Sequence, residues 1–218
     1  MAGYGLDKKY HLSSVLENNL NKNGLKVKVI NASVSGDTSA GGLNRIEWTI
    51  AEKNIDLILI GLGANDMLRG ISPNETEKNL EKTIKKILNK KIQIILAGMV
   101  APDSHGKDYK NKFDKIYKKL SDKYDLNLIP FLLDGVALNP ELNLDDGMHP
   151  NEKGIIIISG NIETAISTNS PNDLLSPVFL SNILDFSTIK SLWVFFITFV
   201  AASKSRYLAA APIFLSTS

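Results

Sequence analysis

The sequence predicts a three-layer α/β fold built on a parallel sheet. Short β-branched or apolar runs alternate with amphipathic segments of ten residues or more, the pattern of parallel strands joined by crossover helices. One run, Ile55–Ile60 (IDLILI), is apolar at five of its six positions, as expected of a strand buried on both faces. Polar loops follow the predicted strands after Ile30, Ile60 and Leu96. That places them at the carboxyl edge of the sheet, where α/β proteins carry their working groups.

Residues 8–22 place Tyr10, Val15, Leu16 and Leu20 at helical spacing, which reads as an amphipathic helix. Leu25–Ile30 (LKVKVI) alternates and is β-branched, so it reads as a strand. The polar loop Asn31–Ser39 leads to a helix over 41–53 carrying Leu43, Ile46 and Ile50. After the Ile55–Ile60 strand comes a loop, Gly61–Asp66. Ser72-Pro73 opens a long helix to about Asn89, with Leu80, Ile84 and Ile87 on one face. Lys91–Leu96 is the next strand. A loop containing Pro102 and His105 precedes a helix over 108–124. Leu126–Phe131 is a short strand, and 151–168 a last helix.

Bulk properties exclude several functions. The chain has 218 residues, 44% hydrophobic and 22% charged, with a net charge of +2. These are values for one globular domain with a tail, without an electrostatic case for nucleic acid. The lysines are spread along helices as solvated faces. There is no cysteine, so disulfides, thiolate metal sites and a cysteine nucleophile are excluded. His11, His105 and His149 have no ligand spacing to one another, so no metal is expected. No charged-then-apolar leader pattern stands at the N-terminus, and any signal segment would precede Met1. The sequence therefore leaves localisation, periplasmic or cytoplasmic, and oligomeric state unassigned.

The chemistry-bearing stretch is Asp145-Asp146-Gly147-Met148-His149-Pro150. A carboxylate three residues before a histidine supplies two members of a nucleophilic triad, the base and the group that orients it. The competing reading is a polar turn, with Pro150 opening the next helix. Gly61-Leu-Gly63 after a strand invites a dinucleotide reading, but Asp66 stands where that fingerprint needs a third glycine. No cofactor is expected.

Three loops taken together resemble the SGNH (GDSL) hydrolases, in particular their arylesterase, thioesterase and lysophospholipase branch. Asn31-Ala-Ser-Val-Ser-Gly36-Asp-Thr is similar to the family's second block. Gly61-Leu-Gly63-Ala-Asn65-Asp66, followed by Leu68-Arg69-Gly70, is similar to the third, and Asp146-Gly-Met-His149-Pro150 to the fifth. The resemblance covers about residues 1–168 and implies a flavodoxin-like sheet. It implies that His149 is the general base, Asp146 its orienter, and the Gly36 backbone N–H and Asn65 side-chain amide the oxyanion hole. The simpler readings are that Gly36 permits a turn and Asn65 caps the next segment. The implied substrates are small aryl or alkyl esters, acyl thioesters or lysophospholipids, with no cofactor or metal.

The first block departs from the family. Met1-Ala2-Gly3-Tyr4-Gly5 matches the end of a Gly-Asp-Ser-Leu block, which places the nucleophilic serine two residues ahead of Met1 and its strand outside the sequence. The expectation is thus an SGNH-type domain over 1–168 with its first strand missing. Ser33, Ser35 and Ser39 read as loop formers. The alternative function is a non-catalytic binder of acyl compounds, or an inactive fragment.

Residues 169–218 form an apolar extension with five charged residues in fifty. Its run Leu192–Ala202 has eleven residues, short of the roughly 20 needed to span a bilayer as a helix, which argues against membrane contact. Rich in aromatic and β-branched residues, this run is the candidate to fill the empty strand position. Ser203, which follows it, lacks the preceding Gly and Asp of the family's nucleophile.

Overall fold

The computed structural model describes residues 2–51 and 54–168, together with the backbone of 190–196, 199–201 and 204–206. In chain order the elements are α1 (Leu12–Lys22), β1 (Val27–Asn31), α2 (Ser39–Thr49), β2 (Leu57–Ile60) and α3 (Ala64–Leu68). Then come α4 (Pro73–Leu88), β3 (Gln93–Ala97), α5 (Lys107–Phe113), α6 (Lys115–Tyr124), β4 (Asn127–Ile129) and α7 (Glu152–Thr168). The C-terminal run adds β5 (Lys190–Phe196), β6 (Phe199–Ala201) and β7 (Lys204–Arg206).

Sequence patterning accounts for the layers. All four residues of β2 are buried, which is what its unbroken apolar run requires. β1 alternates instead, with Val27 and Val29 buried and Lys28 exposed, as suits a strand at one end of the sheet. On α4, Thr76, Leu80, Thr83, Ile84 and Ile87 form one buried stripe, the three-and-four spacing of a helix lying on a sheet. Its outer edge is tied to α6 by Lys119–Glu77 at 2.6 Å and Lys123–Glu81 at 2.7 Å. Lys123 and Tyr124 hold the Glu81 carboxyl down at about 2. Exposed pairs of this kind add little to stability. α1 packs with α7, while α2, α4 and α6 pack together, giving a helical layer on each face of the sheet.

The strand order is β1-β5-β6-β2-β3-β4. β2, β3 and β4 pair in parallel, with Ile58 opposite Ile94 and Leu96 opposite Leu128. β1 does not pair with β2. Between them stands the C-terminal run. β5 runs parallel to β1, with Val29 opposite Val194, and β6 runs antiparallel to β2, with Leu59 opposite Val200. A strand position left open would orphan backbone groups at about 1–3 kcal/mol for each one buried. The paired run satisfies them. Ser203 lies outside the described residues.

Three elements differ from the sequence reading. The helix expected over 8–22 is a 3₁₀ turn at Lys8–Tyr10 followed by α1. The interruption is His11, extended at φ −60°, ψ 141°, whose Nε2–H donates to the Leu6 carbonyl at 3.1 Å. The single helix expected over 108–124 is divided at Asp114, whose carboxylate accepts from the Ala101 N–H at 2.8 Å and pairs with Lys110 at 3.0 Å. The loop expected over 61–66 turns into α3 at Ala64, because Gly63 adopts φ +108° and redirects the chain.

Candidate active site

The loops that follow β1, β2, β3 and β4, together with the 148–150 stretch, converge on one cleft of about 450 Å³. Gly36, Asn65 and His149 line it. So do Ser35, Met99, Leu132 and Tyr4.

The Asp146–His149 pair is built by one turn. Asp146 Oδ1 accepts from the N–H groups of Met148 and His149, both at 2.9 Å. Its Oδ2 stands 2.7 Å from His149 Nδ1. An ionised carboxylate only accepts, so the ring proton sits on Nδ1, and the neutral ring keeps a lone pair on Nε2. That is the tautomer a general base needs. Gly147 at φ +66° allows the tight return. The turn is anchored from behind by Leu144 N–H to the His149 carbonyl at 2.7 Å.

The same bonds set the acidity of Asp146. The His149 backbone N–H first, then that of Met148 and the His149 ring, hold its carboxyl well below the ordinary range, at about 2. Every one of these donors favours the ionised form. A depressed carboxylate stabilises the turn at any pH above its unfolded value of about 3.9. That contribution is lost as pH falls through about 2. A carboxyl-carbon NMR titration is therefore expected to place the Asp146 midpoint near 2, and a midpoint at 3.5 or above would contradict this hydrogen-bond pattern.

The two donor loops are interlocked. Gly36 sits at φ +75°, a conformation glycine reaches without strain. Among the described residues, nothing accepts its N–H. Asn65, on the first turn of α3, donates Nδ2–H to the Asp37 carbonyl at 2.8 Å, which leaves the second amide hydrogen uncommitted. Arg69, at the end of α3, donates Nη2–H to the Gly36 carbonyl at 2.8 Å. Arg45 completes the frame, with Nε on Asp37 Oδ2 and Nη1 on the Ala32 carbonyl, each at 2.7 Å.

Beneath these loops lies a buried polar knot. Asp66, fully buried, accepts from the Ser39 N–H at 2.7 Å, from the Ser39 hydroxyl, and from Thr76 Oγ1 at 3.3 Å. Asn79 donates to the Ser39 hydroxyl at 3.1 Å. Gly63 is sterically required above it. A Cβ there would lie 2.1 Å from the Tyr117 hydroxyl, which donates to the Leu62 carbonyl at 2.8 Å.

The structure thus brings His149, Gly36 and Asn65 to one cleft and sets Asp146 behind His149. It separates the other histidines from them: His11 holds the 3–6 turn, and the His105 ring lies against Tyr109 at 5.0 Å. Among the described residues no group of three or more potential metal ligands occurs. No serine hydroxyl among them bonds to His149. Ser39 is absorbed by Asp66 and Asn79, and Ser35 only lines the cleft.

Sequence reasoning missed three contributors. The Tyr4 ring lies against the His149 ring, with centroids 4.5 Å apart and planes inclined by 32°. Arg69 and Arg45 fix the Gly36 loop. One signal was available for the arginines. The chain uses 22 lysines but only three arginines, and two of the three grip this loop.

A three-layer α/β fold with these loops at its carboxyl edge defines the class, and the comparisons with known proteins agree. The GDSL-like lipase/acylhydrolase family matches residues 1–155. The chain belongs to this family. It is 39% identical over 149 residues to an arylesterase of Vibrio mimicus, covering 68% of this chain and 74% of that one. It is 37% identical over 126 residues to thioesterase 1/protease 1/lysophospholipase L1 of Escherichia coli, covering 58% of this chain and 61% of that one. The crystal structure of AlinE4, an SGNH-hydrolase family esterase, superposes with a TM-score of 0.65 at 40% identity, over 78% of this chain and 92% of that one.

Proposed function

We propose that this chain hydrolyses small aryl or alkyl esters, acyl thioesters or lysophospholipids by acyl transfer through a serine. The observation that carries the reading is the Asp146–His149 pair, held in the base-competent tautomer in a cleft that also presents Gly36 and Asn65. His149 Nε2 takes the proton of the attacking hydroxyl and returns it to the leaving group. Asp146 keeps the Nδ1 proton in place and stabilises the imidazolium. The carbonyl oxygen gains charge as the tetrahedral intermediate forms, and the Gly36 N–H and the free Asn65 amide hydrogen receive it. Loss of one such donor lowers turnover by about 10²–10³-fold. Water then repeats the attack on the acyl-enzyme.

On this reading the nucleophile is the serine of the family's first block, whose end Met1–Gly5 resembles. The test is fluorophosphonate labelling of two folded proteins: the chain from Met1, and the chain preceded by the residues encoded upstream. Labelling of a single serine in the longer protein, accompanied by hydrolysis of p-nitrophenyl acetate, is the expected result. A folded longer protein that takes up no label would overturn the hydrolase reading and leave an acyl-compound binder.

A further inference from the structure

We propose that Arg69 is a positioning residue that aims the Gly36 N–H into the cleft. The proposal rests on the reading of Gly36 as an oxyanion donor, and asks what keeps such a donor in place.

A catalytic donor has to be held within about 0.5 Å and 10–20° of its working geometry. Glycine is the residue least able to do this for itself, because its φ and ψ are the freest. The Gly36 loop offers little regular support. Ser35 and Gly36 are exposed, and among the described residues no strand partner reaches them. The local bonds are Ser33 N–H to Asn31 Oδ1 at 2.9 Å and a long turn bond, Asp37 N–H to the Val34 carbonyl, at 3.3 Å.

Support arrives from α3. Asn65 on that helix and Arg69 at its C-cap donate to two consecutive carbonyls, Asp37 and Gly36, each at 2.8 Å. Fixing the Gly36 carbonyl fixes the peptide plane on one side of its Cα. The left-handed φ of +75° then sets the plane on the other side, which carries the Gly36 N–H. Arg69 therefore acts on the donor through the glycine it holds, without touching substrate.

The residue type fits this task. A guanidinium is a planar fork that keeps its orientation at less entropic cost per bond than an ammonium on a flexible stem. The chain otherwise selects lysine, 22 to three. Among the described residues Arg69 pairs with no carboxylate, so an ion-pair role does not account for it. It is exposed, so a contribution to the core does not account for it either.

The test uses backbone ¹⁵N relaxation on the full chain, with kinetics on the form that fluorophosphonate labels. In the parent the Gly36 amide is expected to have an order parameter near 0.85, falling below about 0.6 in Arg69→Ala. In the same variant kcat falls about 10–100-fold while KM stays within twofold, because a displaced donor is felt in the transition state. Arg69→Lys restores part of both, and the urea unfolding midpoint is unchanged in each variant. A Gly36 amide as rigid in Arg69→Ala as in the parent would overturn the inference. A loosened Gly36 amide with undiminished kcat would instead overturn the oxyanion reading beneath it.

Discussion

Asp146→Asn is expected to lower ester turnover by about 10⁴-fold while leaving the fold and KM nearly unchanged. The reason is the tautomer. In the parent, Oδ1 serves the Met148 and His149 N–H groups and Oδ2 serves the ring Nδ1. An asparagine can keep its single oxygen on the two backbone donors. Its NH₂ then faces Nδ1, and two hydrogens cannot share that contact. Nδ1 must become the acceptor, which moves the ring proton to Nε2. The lone pair that would take the serine proton is gone. The alternative rotamer saves the Nδ1 contact but presents an NH₂ to two backbone N–H groups and opens the turn. Steady-state hydrolysis of p-nitrophenyl acetate by the unlabelled protein, in the form that reacts with fluorophosphonate, measures the effect, with thermal unfolding as the control. A loss smaller than tenfold would mean that Asp146 does not set the His149 tautomer.

The largest stability effect is expected at Asp66. Asp66→Ala removes the acceptor of the Ser39 N–H, the Ser39 hydroxyl and the Thr76 hydroxyl. All three residues are buried, so water does not replace it freely. Orphaned buried donors cost about 1–3 kcal/mol each. The hydroxyls can partly rotate to other partners and the Ser39 N–H cannot. A loss of about 3–5 kcal/mol follows, a large part of a typical stability of about 5–15 kcal/mol. Urea unfolding at constant m value reads it directly. A loss under about 1 kcal/mol would show that the knot is not what joins the start of α2 to α3 and α4. Because Ser39 follows the Gly36 loop and Asp66 follows Asn65, a destabilised knot is also expected to loosen both donor loops.

The sequence was most legible where structure is local. The buried stripe of α4, the all-buried β2 and the alternation of β1 follow from periodicity alone, since burial of a face is decided by side-chain spacing. The Asp146–His149 contact is also local. A three-residue separation closed by Gly147 leaves few geometries, and one of them joins carboxylate to ring. Gly36 and Asn65 were recognised through resemblance, yet their surroundings were not. His11 carries the same ring chemistry as His149, and only its bond to the Leu6 carbonyl shows that it is structural.

Tertiary structure decided the long-range contacts. Asn65 reaches Asp37 across 28 residues and Arg69 reaches Gly36 across 33. Tyr4 meets His149 from the opposite end of the domain. None of these pairs has a spacing to read, because each depends on which strands are neighbours and how far their loops extend past the sheet edge. The strand order is of the same kind. An apolar run announces that it must be buried, but hydrogen-bonding capacity is identical along every strand. Residue types marked the C-terminal run as the candidate for the open strand position, and the sheet seats it between β1 and β2. By itself, then, the sequence determined the main strands and helices, their buried faces and the Asp146–His149 pair, all fixed by interactions within a few residues. The sheet order, the frame around Gly36 and the cleft were settled by contacts that exist only once distant segments have packed.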